Sequence, residues 1–297
     1  MIKNAPPWPN GARCAVAFTF DVDADSVVHA MHGSEALDQL HALAHMRYDP
    51  FVGLPRLVDL FSSYDVPVTY FVPGWVADTY PSSIEYALRS RCEVAHHGHL
   101  HEWPNKQSRA EEKLTLERGI SSIQRLTGAA PKGYRAPFYA LSRHSLDLLI
   151  EAGFLYDSSL FADDVPMVFN NGRGMIIEVP VPASVDDYVQ YASSRAVDGM
   201  RKISPPSHAL EVYRAEFDAM WEFGGSWISV WHPAVSGRPA PVLAIRQLVE
   251  HMMGKGNVWF ATVGEIAQHV RSLMAQGAWT PRVDKIPFHQ QAVSSRS

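Results

Sequence analysis

Short runs of β-branched and aromatic residues alternate with helical segments from Ala15 to Gln276, with no linker between them. This alternation forces parallel strands joined by helical crossovers, because the chain must return across the sheet before each new strand. Strands are expected at Ala15–Phe20, Pro67–Val72, Glu93–Ala95, Lys132–Arg135, Phe154–Tyr156, Met175–Val181, Gly225–Trp231 and Asn257–Thr262. Helices are expected at Ser34–Met46, Gly53–Tyr64, Ser82–Arg91, Ser108–Leu126, Ser142–Ala152, Leu210–Phe223, Val242–Met253 and Val263–Gln276. Ser108 with Glu111 three residues on reads as a capping box, and Gly128 and Gly153 read as helix stops. Seven or eight strands in about 260 residues suit a barrel better than an open sheet.

Two stretches read as long loops, Ser158–Gly174 and Ala183–Ser207, the second a candidate lid. The whole chain, 1–297, reads as a single catalytic domain with a core at about 12–270. Residues 1–11 and 281–297 are expected as peripheral arms, the tail packing loosely.

Composition narrows the function classes. Hydrophobic residues make up 46% of the 297, enough for a full core. A net charge of −5 and the lack of a basic run argue against nucleic acid and anionic membrane as partners. No glycine-rich dinucleotide or phosphate loop follows the first strand. Two cysteines, Cys14 and Cys92, are too few for a disulfide framework. No apolar leader is read at the N-terminus and no apolar run is long enough to span a membrane, so a cytoplasmic location is expected.

The fourteen histidines are the unusual feature, and four of them fall between His96 and His101. Each chemically capable residue stands at the C-terminal end of an expected strand. Asp21 and Asp23 follow the first, His97 and His101 the third, and Arg135 and Asp157 end the next two. His232 follows Trp231. In a parallel barrel these ends meet on one face, where active sites are built. On a first helical turn His97 and His101 would share one face and could hold one metal ion, with Asp23 as a third ligand. Two imidazoles and a carboxylate suit zinc or another first-row divalent metal. Arg135 is expected to hold Asp21 ionised and aimed, and His232 to serve acid–base chemistry.

The set Thr19-Phe-Asp-Val-Asp23, His97-x-x-x-His101, Arg135-Ala-Pro-Phe138, Asp157 and Trp231-His-Pro233 resembles the polysaccharide deacetylase (NodB-homology) family, carbohydrate esterase family four. The motifs keep the family order over roughly residues 12–270. The resemblance implies an α/β fold, a distorted (β/α) barrel of about seven parallel strands. It implies Asp23, His97 and His101 as ligands of a divalent metal, most simply zinc. It implies Asp21 as catalytic base, Arg135 as its orienter and His232 as general acid.

Two departures stand out. Val22 separates acids that are usually adjacent, and Asp157-Ser-Ser-Leu160 lacks the second acid and the tryptophan of the fourth motif. This form is similar to a subgroup that holds peptidoglycan-deacetylase-like proteins, deacetylase-type allantoinases and cyclic imide hydrolases. The subgroup implies amide C–N hydrolysis in the cytoplasm by a homo-oligomer, a dimer or tetramer. Substrate contacts are expected from Pro137, Phe138, Asp157, Asp164 and Trp231. Phe161, Asp163, Phe169, Tyr188 and Tyr191 are further candidate walls. The favoured substrate is a small cyclic imide, amide or ureide. An N-acetylated sugar polymer is the alternative, and a metal-free binding relative the second. A backbone N–H after Arg135 is a candidate oxyanion donor, and Asp25 has no assigned role.

Overall fold

The computed structural model describes residues 2–191 and 204–289. Ten strands form one sheet: β1 (Cys14–Asp21), β2 (Val68–Val72), β3 (Cys92–His96), β4 (Gly133–Tyr134), β5 (Tyr156–Asp157), β6 (Met167–Asn170), β7 (Met175–Glu178), β8 (Ser226–Ile228), β9 (Val258–Phe260) and β10 (Val283–Lys285). The order is β10-β6-β7-β5-β4-β3-β2-β1-β8, with β9 also on β1. Every pairing is parallel except β6 with β7.

The run from β8 through β1 to β5 and β7 gives seven parallel strands that curl into an incompletely closed barrel. The seam lies between β7 and β8. Asp186, on the chain leaving β7, makes a single parallel bridge to Val230, just past β8. The expected distorted barrel of about seven parallel strands is therefore the observed fold.

β1 is the axis of the sheet. All eight of its residues are buried, as a strand covered on both faces requires, so it reads as nearly continuous apolar sequence. Its first half pairs β8 and β9, and its second half pairs β2. Phe18 and Phe20 pack against Phe61, Trp227 and Trp231 in the main core. The helix Arg109–Thr127 starts in the Ser108–Glu111 capping box and ends at Gly128, whose φ of 80° only glycine adopts without strain.

Several local expectations are corrected. Ser34–Met46 is not one helix: a helix at Ser26–His32 precedes it, then a 3-10 stretch Gly33–Asp38 and a helix Leu40–Met46. Gly33, with φ of 54°, marks the first break. The stretch Ser158–Gly174 contains β6, and the tail contains β10 paired to it. Both are three or four residues long, too short to show a period in sequence. Of Ala183–Ser207, positions 192–203 lie outside the described residues. Ala183–Val185 forms a 3-10 turn and Asp187–Tyr191 a helix. Among the described residues no helix is long and apolar enough to cross a membrane.

Candidate active site

The C-terminal ends of β1, β3, β4 and β8 bring Asp21, Asp23, His97, His101, Arg135 and His232 together. Their exposures run from 0% to 8%, so they form the floor of the site. Both His97 Nε2 and His101 Nε2 lie 3.4 Å from Asp23 Oδ1. His97 Nδ1 donates to the Arg135 carbonyl at 2.8 Å, which leaves Nε2 as the lone-pair nitrogen. Burial pulls His101 down to about 4, against the pull of Asp23, so that imidazole is neutral at pH 7.

Asp23 Oδ1 is buried without a hydrogen-bond donor. A buried acceptor facing a lone-pair nitrogen is unfavourable unless a cation joins them. The donor set, two imidazoles and one carboxylate, therefore fits a divalent metal.

The loop that carries the histidines is not the helical turn expected from their spacing. Residues 97–103 are non-helical, with Gly98 at φ 74° and His101 at φ 60°. A Cβ at Gly98 would lie 3.0 Å from Pro137 Cγ, so this position combines close approach with a left-handed backbone. Glu102 Oε2 ties the loop by accepting from the N–H groups of His99 and Leu100 at 3.1 and 2.8 Å.

Left-handed non-glycine residues gather at this rim: Ala24, His101, Phe138 and Tyr139, with φ of 46°, 60°, 55° and 56°. Each costs on the order of 1–3 kcal/mol, and such strain persists where surrounding structure fixes a functional geometry.

Arg135 is wholly buried. Nη1 donates at 2.7 Å both to Asp21 Oδ1 and to Thr19 Oγ1. Nε donates to the Ser158 carbonyl at 2.9 Å, and Nη2 to Ser158 Oγ at 3.2 Å. The guanidinium also lies 4.0 Å over the Phe71 ring. Asp21 Oδ2, its other oxygen, faces His97 Nε2 at 3.7 Å.

His232 Nε2 lies 3.7 Å from Asp23 Oδ2. Its Nδ1 meets Asp187 Oδ1 at 2.7 Å, and Asp187 Oδ2 accepts from the His232 N–H and from Ser236 Oγ at 2.8 and 2.5 Å. Burial alone would favour neutral imidazole, but Asp187, backed by Asp23 and Asp186, raises His232 well above its ordinary range.

Asp187 was not foreseen from the sequence, although it sits in the doublet Asp186-Asp187 within a stretch that shows no clear period. Asp186 accepts from Tyr139 Oη at 2.6 Å and from the Tyr188 N–H at 2.8 Å. Asp186, Asp187 and His232 are close enough to suggest a second metal group. Their oxygens are already met by protein donors, so they act as a hydrogen-bond network.

The substrate-contact expectations divide. Phe138 is 40% exposed beside the site, its ring centre 4.5 Å from that of His101 in a perpendicular pair and stacked at 4.1 Å on Trp103. Pro137, in the same turn, packs against Gly98. Tyr188 stands edge-on to His232 at 5.2 Å, and Phe161 packs on Tyr139 at 5.1 Å.

Trp231 is corrected: at 0% exposure its ring sits in the core among Phe18, Phe20, Tyr213 and Trp227. The strand alternation turns Trp231 inward and His232 to the rim. Asp157 is corrected too, being fully buried beneath the site. The Asp164 carbonyl accepts from Ser226, at the start of β8, which places Asp164 at the opposite end of the barrel. Phe169 is likewise buried. The Ala136 N–H, the oxyanion candidate, donates instead to Ser159 Oγ at 2.8 Å. Asp25 gains a role: its Oδ1 accepts from Tyr80 Oη at 2.6 Å.

The curled parallel barrel gathers acids, imidazoles and an arginine at its C-terminal rim, where barrels of this kind build their active sites. A polysaccharide deacetylase family model matches residues 50–156. A crystal structure of a Mycobacterium smegmatis protein assigned as a polysaccharide deacetylase superposes with a TM-score of 0.90 at 38% identity, covering 97% of this chain and 99% of that one. The Helicobacter pylori peptidoglycan deacetylase is 28% identical, over 85% of this chain and 94% of its own. A peptidoglycan deacetylase-like protein of Gibberella zeae is 29% identical, over 98% of this chain and 90% of its own. An allantoinase shares the fold at a TM-score of 0.79 and 22% identity, covering 90% of this chain and 93% of that one. The chain belongs to the polysaccharide deacetylase family. It is a hydrolase acting on carbon–nitrogen bonds other than peptide bonds.

Proposed function

We propose that the enzyme opens a small cyclic imide, amide or ureide by hydrolysis, with Asp21 as base and His232 as acid. The observation that carries this reading is that both groups reach the Asp23–His97–His101 cluster at different members. Asp21 Oδ2 lies 3.7 Å from His97 Nε2, and His232 Nε2 lies 3.7 Å from Asp23 Oδ2. Attack and departure on an amide carbon need a proton taken on one side and a proton given on the other.

Asp23, His97 and His101 would hold a divalent metal, zinc by their donor set. Bound there, it would polarise the amide carbonyl and acidify the attacking water. Asp21 Oδ2 takes the proton of that water while Arg135 fixes Oδ1. His232 Nε2, charged against Asp187, hands its proton to the departing nitrogen. An amide nitrogen is a poor leaving group unless protonated, which explains why a buried imidazolium is built here.

The preference for a small ring rests on enclosure. All six polar groups of the floor are nearly buried, Phe138 and Tyr188 pack on His101 and His232, and Trp103 backs Phe138. Planar apolar walls with few convergent polar groups suit a small flat substrate. The same reading takes a cytoplasmic homo-oligomer, a dimer or tetramer.

The likeness to the Helicobacter pylori peptidoglycan deacetylase favours a second reading, removal of acetyl groups from N-acetylated sugars. A panel of succinimide, dihydrouracil, hydantoin, allantoin and N-acetylglucosamine oligomers, with and without zinc, separates the two. Turnover of the oligomers with none of the rings would end the cyclic-substrate reading.

A further inference from the structure

Two buried carboxyls take no part in the scheme above. Asp157 and Glu178 are both 0% exposed, and they are register partners on β5 and β7. One oxygen of each is engaged. Asp157 Oδ1 accepts from Ser159 Oγ at 2.7 Å. Glu178 Oε1 accepts from the N–H groups of Ser159 and Leu160 at 3.1 and 2.9 Å. The remaining oxygens, Asp157 Oδ2 and Glu178 Oε2, are buried without a donor.

Two adjacent carboxylates in a dry site cannot both ionise. A single proton between the two orphaned oxygens gives one a donor and the other an acceptor, and satisfies both.

We propose that Asp157 and Glu178 share one proton between β5 and β7, and that this pair is the positioning element behind Arg135. The contacts run in a short chain. Glu178 and Asp157 together fix Ser159 through its N–H and its hydroxyl. Ser159 Oγ accepts from the N–H of Ala136, the residue after Arg135. Ser158, between the two fixed residues, takes Arg135 Nε on its carbonyl and Nη2 on its hydroxyl. Ser158 Oγ in turn donates to the Val179 carbonyl, next to Glu178. The guanidinium that meets Asp21 is thus seated on a segment clamped by the acid pair.

The charges agree with this arrangement. Burial raises both carboxyls, and the neighbouring Asp157 adds to the rise at Glu178. Besides Arg135, the titratable groups facing Asp157 are Tyr134 and Tyr156, both kept neutral by burial. One negative charge therefore remains to face Arg135. Because Asp21 already pairs with Arg135, a second negative charge on the acid pair would stand uncompensated in a low dielectric.

The test uses the whole chain and no substrate, so its failure is distinct from failure of the proposed reaction. Glu178→Gln and Asp157→Asn each replace the shared proton with an amide donor. Each single variant is expected to unfold within a few degrees of the wild type. The double variant sets amide against amide, and its unfolding temperature is expected to fall well beyond the sum of the singles. Additive effects, or a large rise in either single variant, would overturn the shared proton.

Positioning is read separately, from the nuclear magnetic resonance signal of the Arg135 Nε–H, assigned by its loss in Arg135→Lys. Glu178→Ala should speed its exchange with solvent on the order of tenfold or more, the lower end of what losing a buried hydrogen-bonded network brings. Glu178→Gln should restore protection. Equal exchange in the wild type and the Ala variant, or no rescue by Gln, would overturn the positioning role. If Glu178→Ala does not fold, Asp157→Ala against Asp157→Asn gives the same comparison.

Discussion

Arg135 Nη1 is shared by Asp21 Oδ1 and Thr19 Oγ1, each at 2.7 Å, so one nitrogen ties the proposed base to the strand that carries it. The other two guanidinium nitrogens are spent on Ser158. This is a fork used at three points, which a lysine ammonium cannot reproduce. Arg135→Lys should keep a positive charge near Asp21 but lose its aim. Turnover is expected to drop on the order of a hundredfold with little change in KM, the scale of a misplaced catalytic group. Steady-state kinetics on the best substrate of the panel checks this, and a Lys variant with wild-type turnover would remove Arg135 from the role of orienter.

Metal dependence is directly measurable. Dialysis against a chelator should abolish hydrolysis, and added zinc should restore it. His101→Ala should lose stoichiometric metal by elemental analysis while its fold, read by circular dichroism, remains. Full activity at no bound metal would defeat the assignment of Asp23, His97 and His101.

Asp187 sets the charge of His232 across 2.7 Å. Burial opposes the imidazolium, and the carboxylate overrides it, so the folded value lies above the unfolded one near 6.5. The acid form is therefore full below that range and is lost as pH rises through the raised value. Asp187→Asn keeps a hydrogen-bond acceptor but removes the charge. The alkaline limb of the kcat profile should move to lower pH by about one to three units. An unmoved limb would mean that another group supplies the leaving-group proton.

Trp231 distinguishes core from site. Its ring is enclosed by Phe18, Phe20, Tyr213 and Trp227. Trp231→Ala should destabilise the protein by about 3–5 kcal/mol through the cavity it leaves. A tighter test is Trp231→Phe: the thermal midpoint should fall, while KM stays unchanged. A raised KM at unchanged stability would return Trp231 to the substrate.

The barrel and much of the floor were legible in the sequence because they follow from position. A strand that must be buried on both faces reads as apolar, and the polar residue that ends it meets its counterparts at the rim. Asp21, Asp23, His97, Arg135 and His232 all obey this. Other features had no local signal. His97 and His101 share a centre through Gly98 and a left-handed His101, a backbone path that spacing alone reads as helix. Asp187 and Glu178 act on residues 45 and 19 positions away, as partners of His232 and of Ser159. Such contacts exist only once the sheet has set its register. Asp164 was misjudged because a loop's residues can face either end of a barrel.

The single bridge between Asp186 and Val230 has a consequence for how this scaffold can change. Elsewhere the ring is held by strand pairing, from five residue pairs between β2 and β3 down to one between β3 and β4, so inserted or deleted residues would shift neighbours on both sides. The described part of the connection after β7 joins the strands only at that bridge and its flanking hydrogen bonds, Val230 N–H to the Val185 carbonyl and Asp187 N–H to the Val230 carbonyl. Yet the next residue, Asp187, carries the partner of His232. Relatives can thus be expected to differ most in the length of this connection while keeping an acid at its anchor. Grafting such segments between relatives offers a route to new substrate ranges that leaves the floor of the site untouched.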